Sequence, residues 1–494
     1  MPSDHTAVAL GDAALATLPD AVPAPGYDRG RLRPSIVHIG VGGFHRAHLA
    51  TYVHELCQLG LTDWAIVGAG VLPADASMSE ALDAQDHLYT LITRGSSSTE
   101  VAVIGSIVDY IHASPVADEL IDRIAADDTQ IVSLTVTEGG YPVDDATGRF
   151  LPDSPGAGPA SAFGIIAAAL DRRRRGHGAP LTVMSCDNVM SNGAVTRAAT
   201  LGEARRVSEE LAAWVDEHVT FPNSMVDRIT PTTTAADRAW LVETHGVIDR
   251  WPVVTEPFRQ WVVEDAFAGD RPPLERLDVI VTDDVAPYEL MKLRLLNAAH
   301  SCLAYLAWLD GFVTVDAALA DRHLRKFVLD FLEREAKPVL PAVAGIDLDQ
   351  YTTSLIERFA NPQIGDQIAR LCLDGSAKFP KFLLPTVRAQ LGVGGPVELS
   401  ALALAGWCEY LARGAGTDGL AADPLLDRAV EWALRSVDEP TAFLAFDDVF
   451  PDDIATNPIF AGAFERALTR LRADGLRSAV AHTMNGTGRR SGGR

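Results

Sequence analysis

No Cys-x-x-Cys pair occurs in the 494 residues, and the five cysteines, Cys57, Cys186, Cys302, Cys372 and Cys408, are odd in number and widely scattered. That pattern excludes a disulfide framework and a structural zinc site, and a reducing cytoplasm is the expected compartment. Long apolar runs are missing too. None reaches the roughly 18 residues that span a bilayer, and the run at 302–309 stops at Asp310. Basic charge is scarce: 42 Lys plus Arg stand against 66 Asp plus Glu, and the net charge of −24 repels nucleic acid and anionic lipid, so neither is expected as a partner. Asp4 and His5 occupy the stretch where a secretory leader would be basic, so no leader is expected. No internal repeat is visible.

What the chain does contain is apolar residues, 47% of the total, enough for two or three packed domains at this length. Residues 1–34, punctuated by Pro19, Pro23, Pro25 and Pro34, read as an extended lead-in. Over 35–285, short β-branched runs at 36–39, 64–68, 101–104, 131–137, 181–185 and 279–282 alternate with helical stretches. This alternation predicts βαβ units around a largely parallel sheet. Over 286–484 apolar residues recur at helical spacing, through 288–309, 316–335, 378–391, 398–412 and 423–436, which predicts a mostly α-helical domain. Residues 485–494, largely Gly, Ser and Arg, lack periodicity and are expected to form a disordered tail.

Gly40-Val41-Gly42-Gly43-Phe44 directly follows the run at 36–39. Gly40 lets the chain turn sharply out of a strand, and Gly42 lets backbone N–H groups approach a pyrophosphate at the start of the next helix. The segment therefore reads as the phosphate-cradling turn of a nicotinamide-dinucleotide site. It lacks the third glycine of G-x-G-x-x-G, because His45 holds that position. Beyond the next strand, Asp75 is placed to accept hydrogen bonds from the adenosine ribose hydroxyls, and a carboxylate there disfavours a 2′-phosphate; NAD rather than NADP is the expected cofactor. The fold class expected from these features is α/β, a Rossmann-like largely parallel sheet domain followed by a mostly α-helical substrate domain.

Pro287 to His300 (PYELMKLRLLNAAH) predicts a helix with proline near its first turn. At about 100° per residue, Glu289, Lys292, Asn297 and His300 fall within an arc of roughly 140°. A hydride-transferring alcohol dehydrogenase needs a base for the hydroxyl proton and donors for the developing alkoxide. Lys292, Asn297 and Asn188 offer these groups, Asn188 lying in Ser185-Cys186-Asp187-Asn188 at the carboxyl edge of a strand, where open α/β sheets bind ligands. A second polar segment, Phe221 to Arg228 (FPNSMVDR), reads as a loop. Lysine acts as a base only where burial or neighbouring positive charge lowers its pKa from ~10.4 towards neutrality. Tyr288-x-x-x-Lys292 also matches the proton-handling pair of short-chain dehydrogenases, but the glycine pattern, the chain length and the distance from the cofactor turn differ, so Tyr288 is not expected to carry the proton. No Cys/His/Glu set for a catalytic zinc can be assembled, and a metal-independent reaction is expected.

Five segments in order, GVGGFHRAH (Gly40 to His48), TVTEGGY (Thr135 to Tyr141), SCDN (Ser185 to Asn188), FPNSMVDRITP (Phe221 to Pro231) and KLRLLNAAH (Lys292 to His300), resemble the polyol-specific long-chain dehydrogenases. The resemblance implies a metal-independent, NAD(H)-linked interconversion of D-mannitol and D-fructose. It implies Lys292 as general base, Asn188 and Asn297 as oxyanion donors, and His300 as a positioning group for substrate. It further implies that Asp227, Arg370 and Lys378 hold the remaining hydroxyls, that Glu289 assists proton exchange with solvent, and that Gly40, Val41, Gly42, Gly43, Phe44 and Asp75 contact the cofactor. A small-molecule polyol or ketose would be the partner, and a monomer is compatible with the charge. Ala74 stands where a second acid can occur in the family, which makes the NAD preference less strict. Fructuronate reduction and arabinitol oxidation stay open within the family. Glu138 to Tyr141 and Gly68-Ala69-Gly70 look like the mannitol-oxidising members, Glu256 to Trp261 (EPFRQW) resembles the fructuronate branch as well, and Arg370 and Lys378 suit a carboxylate as readily as hydroxyls. The non-enzyme alternative is a dinucleotide-sensing binding protein, against which the set Lys292, Asn297 and His300 speaks.

Overall fold

A computed structural model describes residues 7–144, 147–417 and 419–486. The chain divides into two compact units, Met1–Ala286 and Pro287–Arg494. Only Asn485 and Gly486 of the expected tail lie among the described residues, and they end the final helix, Pro458–Gly486.

The first unit is organised by six parallel strands: β1 (Pro34–Ile39), β2 (Ala65–Gly70), β3 (Ile107–His112), β4 (Ile131–Leu134), β5 (Leu181–Ser185) and β6 (Val219–Thr220), in the spatial order β3-β2-β1-β4-β5-β6. This is the doubly wound order, whose topological switch point falls beside β1. Both faces of the sheet are dry. Ile36, Ile66, Ile107 and Ile131 point into one apolar cluster, while Val37, Val67, Val132 and Val183 point into the other. Two buried faces explain why these strands read as continuous apolar runs rather than alternating ones. Each such side chain contributes roughly 1.5–3 kcal/mol on burial.

The strand expected at 101–104 belongs elsewhere. Thr99–Ile104 pairs antiparallel with Tyr89–Arg94, which in turn pairs parallel with Val253–Thr255 in a separate three-stranded sheet. The third strand of the main sheet is β3, which sequence periodicity passed over because Asp109 and His112 interrupt its apolar residues. The expected loop at Phe221 to Arg228 also contains a strand. Ser224–Asp227 is buried along its whole length and pairs antiparallel with Gln260–Glu264, whose other neighbour is Ile280–Thr282. The lead-in is not simply extended either: Val8–Ala9 pairs parallel with Val247–Ile248, and short 3-10 helices occupy Asp12–Thr17 and Arg29–Arg31.

The second unit is helical, as the periodicity predicts. Its central helix, Glu398–Gly414, buries nearly every side chain, and a Cβ at Gly406 would lie 2.5 Å from Leu306, so the absent side chain is what lets the helix Ala298–Leu309 pack so close. The start of this central helix is capped from another segment: the buried Glu335 carboxylate accepts from the Leu399 and Ser400 N–H groups at 2.7 and 2.8 Å. The helices Leu348–Phe359 and Pro458–Gly486 were not anticipated; the latter is broken by Gly475 at φ 78°.

His54 ties the lead-in to the first unit. The Tyr27 hydroxyl and the Gly105 N–H both meet its Nδ1, at 2.7 and 3.3 Å, and burial pushes its pKa from 6.5 down to about 4. The native ring is therefore neutral, whereas the unfolded chain takes up its proton near pH 6.5, so stability present at neutral pH drains away as the pH falls from 6.5 towards 4. Thermal unfolding followed between pH 7.5 and 4.5 should show a loss from this group on the order of 3 kcal/mol. His54→Gln should flatten that slope; an identical slope would remove His54 as its cause.

Candidate active site

In the first unit the glycine turn leaves the carboxyl end of β1. Gly40 has φ +95°, and a Cβ there would lie 2.1 Å from the Thr135 carbonyl oxygen, so both conformation and space demand glycine. Gly42 caps the helix Gly43–Ala47 without a side chain, and the nearest atom to a Cβ at this position is 3.9 Å away. Packing within the chain thus does not require glycine at 42. What its absent side chain provides is open approach to the helix start, the geometry that a pyrophosphate uses. Val41 is buried beneath the turn, a Cβ at Gly43 would meet only Thr230 at 3.5 Å, and the Phe44 ring stacks on His48 at 5.1 Å. The helix that opens at Gly43 is interrupted at His48 and resumes as Leu49–Gln58.

The missing third glycine has a structural explanation. His45 lies flat on His38 of β1, with ring centroids 3.4 Å apart and planes 20° apart, so an imidazole stack fills the space a glycine would leave for close helix–strand packing. His38 in turn holds the turn: its Nε2 lies 2.8 Å from Thr135 Oγ1, and Thr135 donates to the Gly40 carbonyl at 2.6 Å. Burial pushes His38 down to about 3 and His45 well below its ordinary range, so the stacked pair carries no charge. Asp75 ends a turn beyond β2, where one carboxylate oxygen accepts from the Leu72 N–H at 2.9 Å.

Asp187 binds the neighbouring loops together. Its carboxylate accepts from the N–H groups of Val136 (2.9 Å) and Thr137 (3.0 Å) and from the Tyr141 hydroxyl (2.7 Å). Burial raises its pKa while these donors oppose the rise. Thr137 sits at φ 63°, ψ 167°, a region that non-glycine residues avoid, and this clamp holds it there. Asn188, the next residue, is exposed. The Asn192 amide then joins this loop to the strand Ser224–Asp227, donating to the carbonyls of Asp187 (3.1 Å) and Ser224 (2.8 Å) and accepting from the Ser224 N–H (2.9 Å). The two polar segments singled out in the sequence are thus stitched side by side. Asp227 is buried, and its neighbour Arg228 donates to the carbonyls of Ala47 and Glu256.

In the second unit Lys292 ends the helix Ala286–Lys292 and is buried. The next five residues, Leu293–Asn297, form a π-helical turn before the chain returns to α-helix at Ala298. One extra residue in the turn sets Asn297 back by roughly 100°, so it stands about where residue i+4 from Lys292 would stand. The arc that contains Glu289, Lys292, Asn297 and His300 narrows from the expected 140° to roughly 80°. Tyr288 is turned to other use: its hydroxyl donates to the Ala344 carbonyl at 2.8 Å.

The His300 ring stacks on Phe359 with centroids 3.9 Å apart and planes 13° apart, and its Nε2 is enclosed without a hydrogen-bond partner. Burial, reinforced by Arg370, Arg358 and Lys378 and opposed by Asp366, pushes its pKa down to about 3, so the ring is neutral. Arg370 donates through Nε to Asp366 at 2.7 Å and pairs with the other Asp366 oxygen through Nη2, while Lys378 Nζ reaches the Leu371 carbonyl at 3.5 Å. Sequence reasoning missed Asp187, Asn192, Phe359 and Asp366. The first two stand inside or beside quoted motifs, but nothing in the sequence distinguishes an anchor from its neighbours. Among the described residues, no group of three or more His, Cys, Asp or Glu comes together that could hold a metal ion, and no helix is long and apolar enough to cross a membrane.

Residues 34–276 match the family model described as the mannitol dehydrogenase Rossmann domain, and residues 284–472 match the mannitol dehydrogenase C-terminal domain. The chain belongs to the mannitol dehydrogenase family. Mannitol 2-dehydrogenase of Phaeosphaeria nodorum is 42% identical over 475 residues, covering 93% of this chain and 83% of that protein. Among solved structures, the ternary complex of Pseudomonas fluorescens mannitol 2-dehydrogenase with NAD and D-mannitol is 41% identical, with a TM-score of 0.88, covering 97% of this chain and all of the other. A substrate-free D-sorbitol dehydrogenase is 35% identical, with a TM-score of 0.86, covering 96% and 100% of the two chains. The mannitol dehydrogenase family therefore accounts for both units.

The glycine turn yields a stability test. Gly40→Ala should cost at least about 2 kcal/mol in chemical denaturation, from steric conflict and a left-handed backbone, whereas Gly43→Ala should change stability by under about 0.5 kcal/mol. Equal stabilities of the two variants would contradict the account of the turn.

Proposed function

We propose that the protein catalyses the reversible oxidation of D-mannitol to D-fructose with NAD, without a metal ion. The observation that carries this reading is the buried Lys292 sharing one face of its helix with Glu289, Asn297 and His300. It is supported by the 41% identity to a protein solved with NAD and D-mannitol. The glycine turn fits a dinucleotide: Gly40 and Gly42 with the helix start at Gly43 and Phe44 would hold the pyrophosphate over Val41, and Asp75 the adenosine ribose. NAD, when bound, supplies the hydride acceptor for the carbinol carbon.

The chain's own residues manage the proton. Lys292, unprotonated before reaction, takes the C2 hydroxyl proton as the carbonyl forms, and burial is what brings an amine towards the neutrality this demands. Asn188 and Asn297 donate to the oxygen as charge builds on it. His300, neutral and fixed by its stack, orients the substrate, Glu289 passes the proton from Lys292 to solvent, and Asp227, Arg370 and Lys378 bind the hydroxyls further along the polyol. The five cysteines are all buried free thiols, which suits a reducing cytoplasm, and the acid excess leaves nucleic acid an unsuitable partner. A monomer is compatible with the net charge of −24.

Lys292→Ala should lower turnover by about 10³-fold or more while NADH fluorescence still reports binding, and Tyr288→Phe, which loses only the hydrogen bond to Ala344, should stay within about fivefold of the parent. The reverse ranking would remove lysine as the base. Substrate identity is decided by a panel of mannitol, sorbitol and arabinitol with NAD, and of fructose and fructuronate with NADH. Mannitol and fructose should give the highest kcat/KM, and a preference for fructuronate would overturn the assignment. Activity should persist after exhaustive chelation; a loss that zinc restores would refute the metal-free mechanism.

A further inference from the structure

Arg370 is held in advance of any ligand. Its Nε donates to one Asp366 oxygen at 2.7 Å and its Nη2 to the other, so guanidinium and carboxylate meet fork on fork. The two partners differ in exposure: the Asp366 side chain is 7% exposed and that of Arg370 52%. The acid belongs to the protein interior, and the guanidinium presents its remaining donors outward. The backbone fixes the acid further. Val315 N–H donates to the Asp366 carbonyl and Ile368 N–H to the Val313 carbonyl, both at 2.9 Å, which straps the segment on either side of Asp366.

Arg370, Arg358 and Lys378 oppose a proton on His300, and Asp366 favours one. Cations beside a substrate-orienting imidazole would favour an anionic substrate, and the acid that opposes them at His300, Asp366, is spent on Arg370. We propose that Asp366 is a specificity-determining residue: by neutralising Arg370 in place, it makes the guanidinium a directional donor to hydroxyl groups and denies it to a carboxylate. The site is thereby tuned to a neutral polyol and ketose against the corresponding sugar acid. A carboxylate arriving at the outer edge of Arg370 would share that cation with Asp366 and be repelled by it, whereas a hydroxyl accepts the same hydrogen bond with no net charge to oppose. This rests on the proposed role of Arg370 in binding substrate.

The test compares D-mannitol with D-mannonate, which carries a carboxylate in place of a terminal hydroxymethyl group, in the unaltered protein, Asp366→Asn and Arg370→Ala. In the unaltered protein the inhibition constant of mannonate should exceed the KM of mannitol by about tenfold or more. Asp366→Asn should tighten mannonate by about tenfold and raise the mannitol KM a few-fold, with kcat within about twofold, because an amide leaves the guanidinium charge unopposed. A raised mannitol KM with mannonate binding unchanged would show Asp366 to be structural only and overturn the proposal. An unchanged mannitol KM in Arg370→Ala would remove the role of Arg370 and the inference with it. If circular dichroism shows Asp366→Asn to be unfolded, the unaltered protein decides: mannonate binding as tight as mannitol overturns the proposal, and at least tenfold weaker binding supports it.

Discussion

The Asp187 carboxylate is the point on which the working edge of the first unit depends. Three donors from the loop after β4 converge on it, and that loop also carries Thr135, whose backbone and hydroxyl define the glycine turn. A carboxylate at this position does what no apolar residue can: it satisfies two backbone N–H groups that a strained conformation at Thr137 leaves facing inward. The remainder follows by contact. Tyr141 meets Ser185, Asn192 meets Ser224, and Arg228 reaches the end of the helix that begins at the turn. The carboxyl edge of the sheet is thereby one hydrogen-bonded lattice rather than a set of separate loops.

The second unit uses a different device. Its polar groups Glu289, Lys292, Asn297 and His300 stand on a single continuous helical path, where backbone geometry alone sets their spacing. A regular α-helix would spread Lys292 and Asn297 across the path, and the π turn between them draws them together. Around this path the charges are distributed so that the His300 imidazole stays neutral and the Arg370 guanidinium is paired with Asp366.

What the sequence disclosed, and what it hid, follow from the range of the interactions involved. The strands β1, β2, β4 and β5 were legible because a sheet buried on both faces writes itself as uninterrupted apolar runs. β3 was not, since Asp109 and His112 break its run, and Ser224–Asp227 was taken for a loop because its serine and aspartate are polar yet buried. The helical nature of the second unit was plain from periodicity, but the π turn was not: a wheel drawn at constant pitch has no means of registering one inserted residue. The same limit applies to the site. Lys292, Asn297 and His300 announce themselves by standing together in an otherwise leucine-rich segment, whereas Phe359 and Asp366 matter only through contacts made 59 and 4 residues away, with His300 and Arg370.

Lys292 also has a bearing on composition. The chain contains only five lysines, at 292, 326, 337, 378 and 381, so that of its 42 basic residues 42 − 5 = 37 are arginine and none of the first 291 positions is lysine. Ion pairing and helix termination have passed almost wholly to arginine, whose charge is fixed at any physiological pH. The base proposed at Lys292 could not follow that drift, because a guanidinium in the same buried place would remain a cation. Scarcity alone assigns no role, since Lys326 and Lys337 stand in helical segments and pair with Asp330 and Glu333; what sets Lys292 apart is that, of the five, it is the one amine shut into the interior.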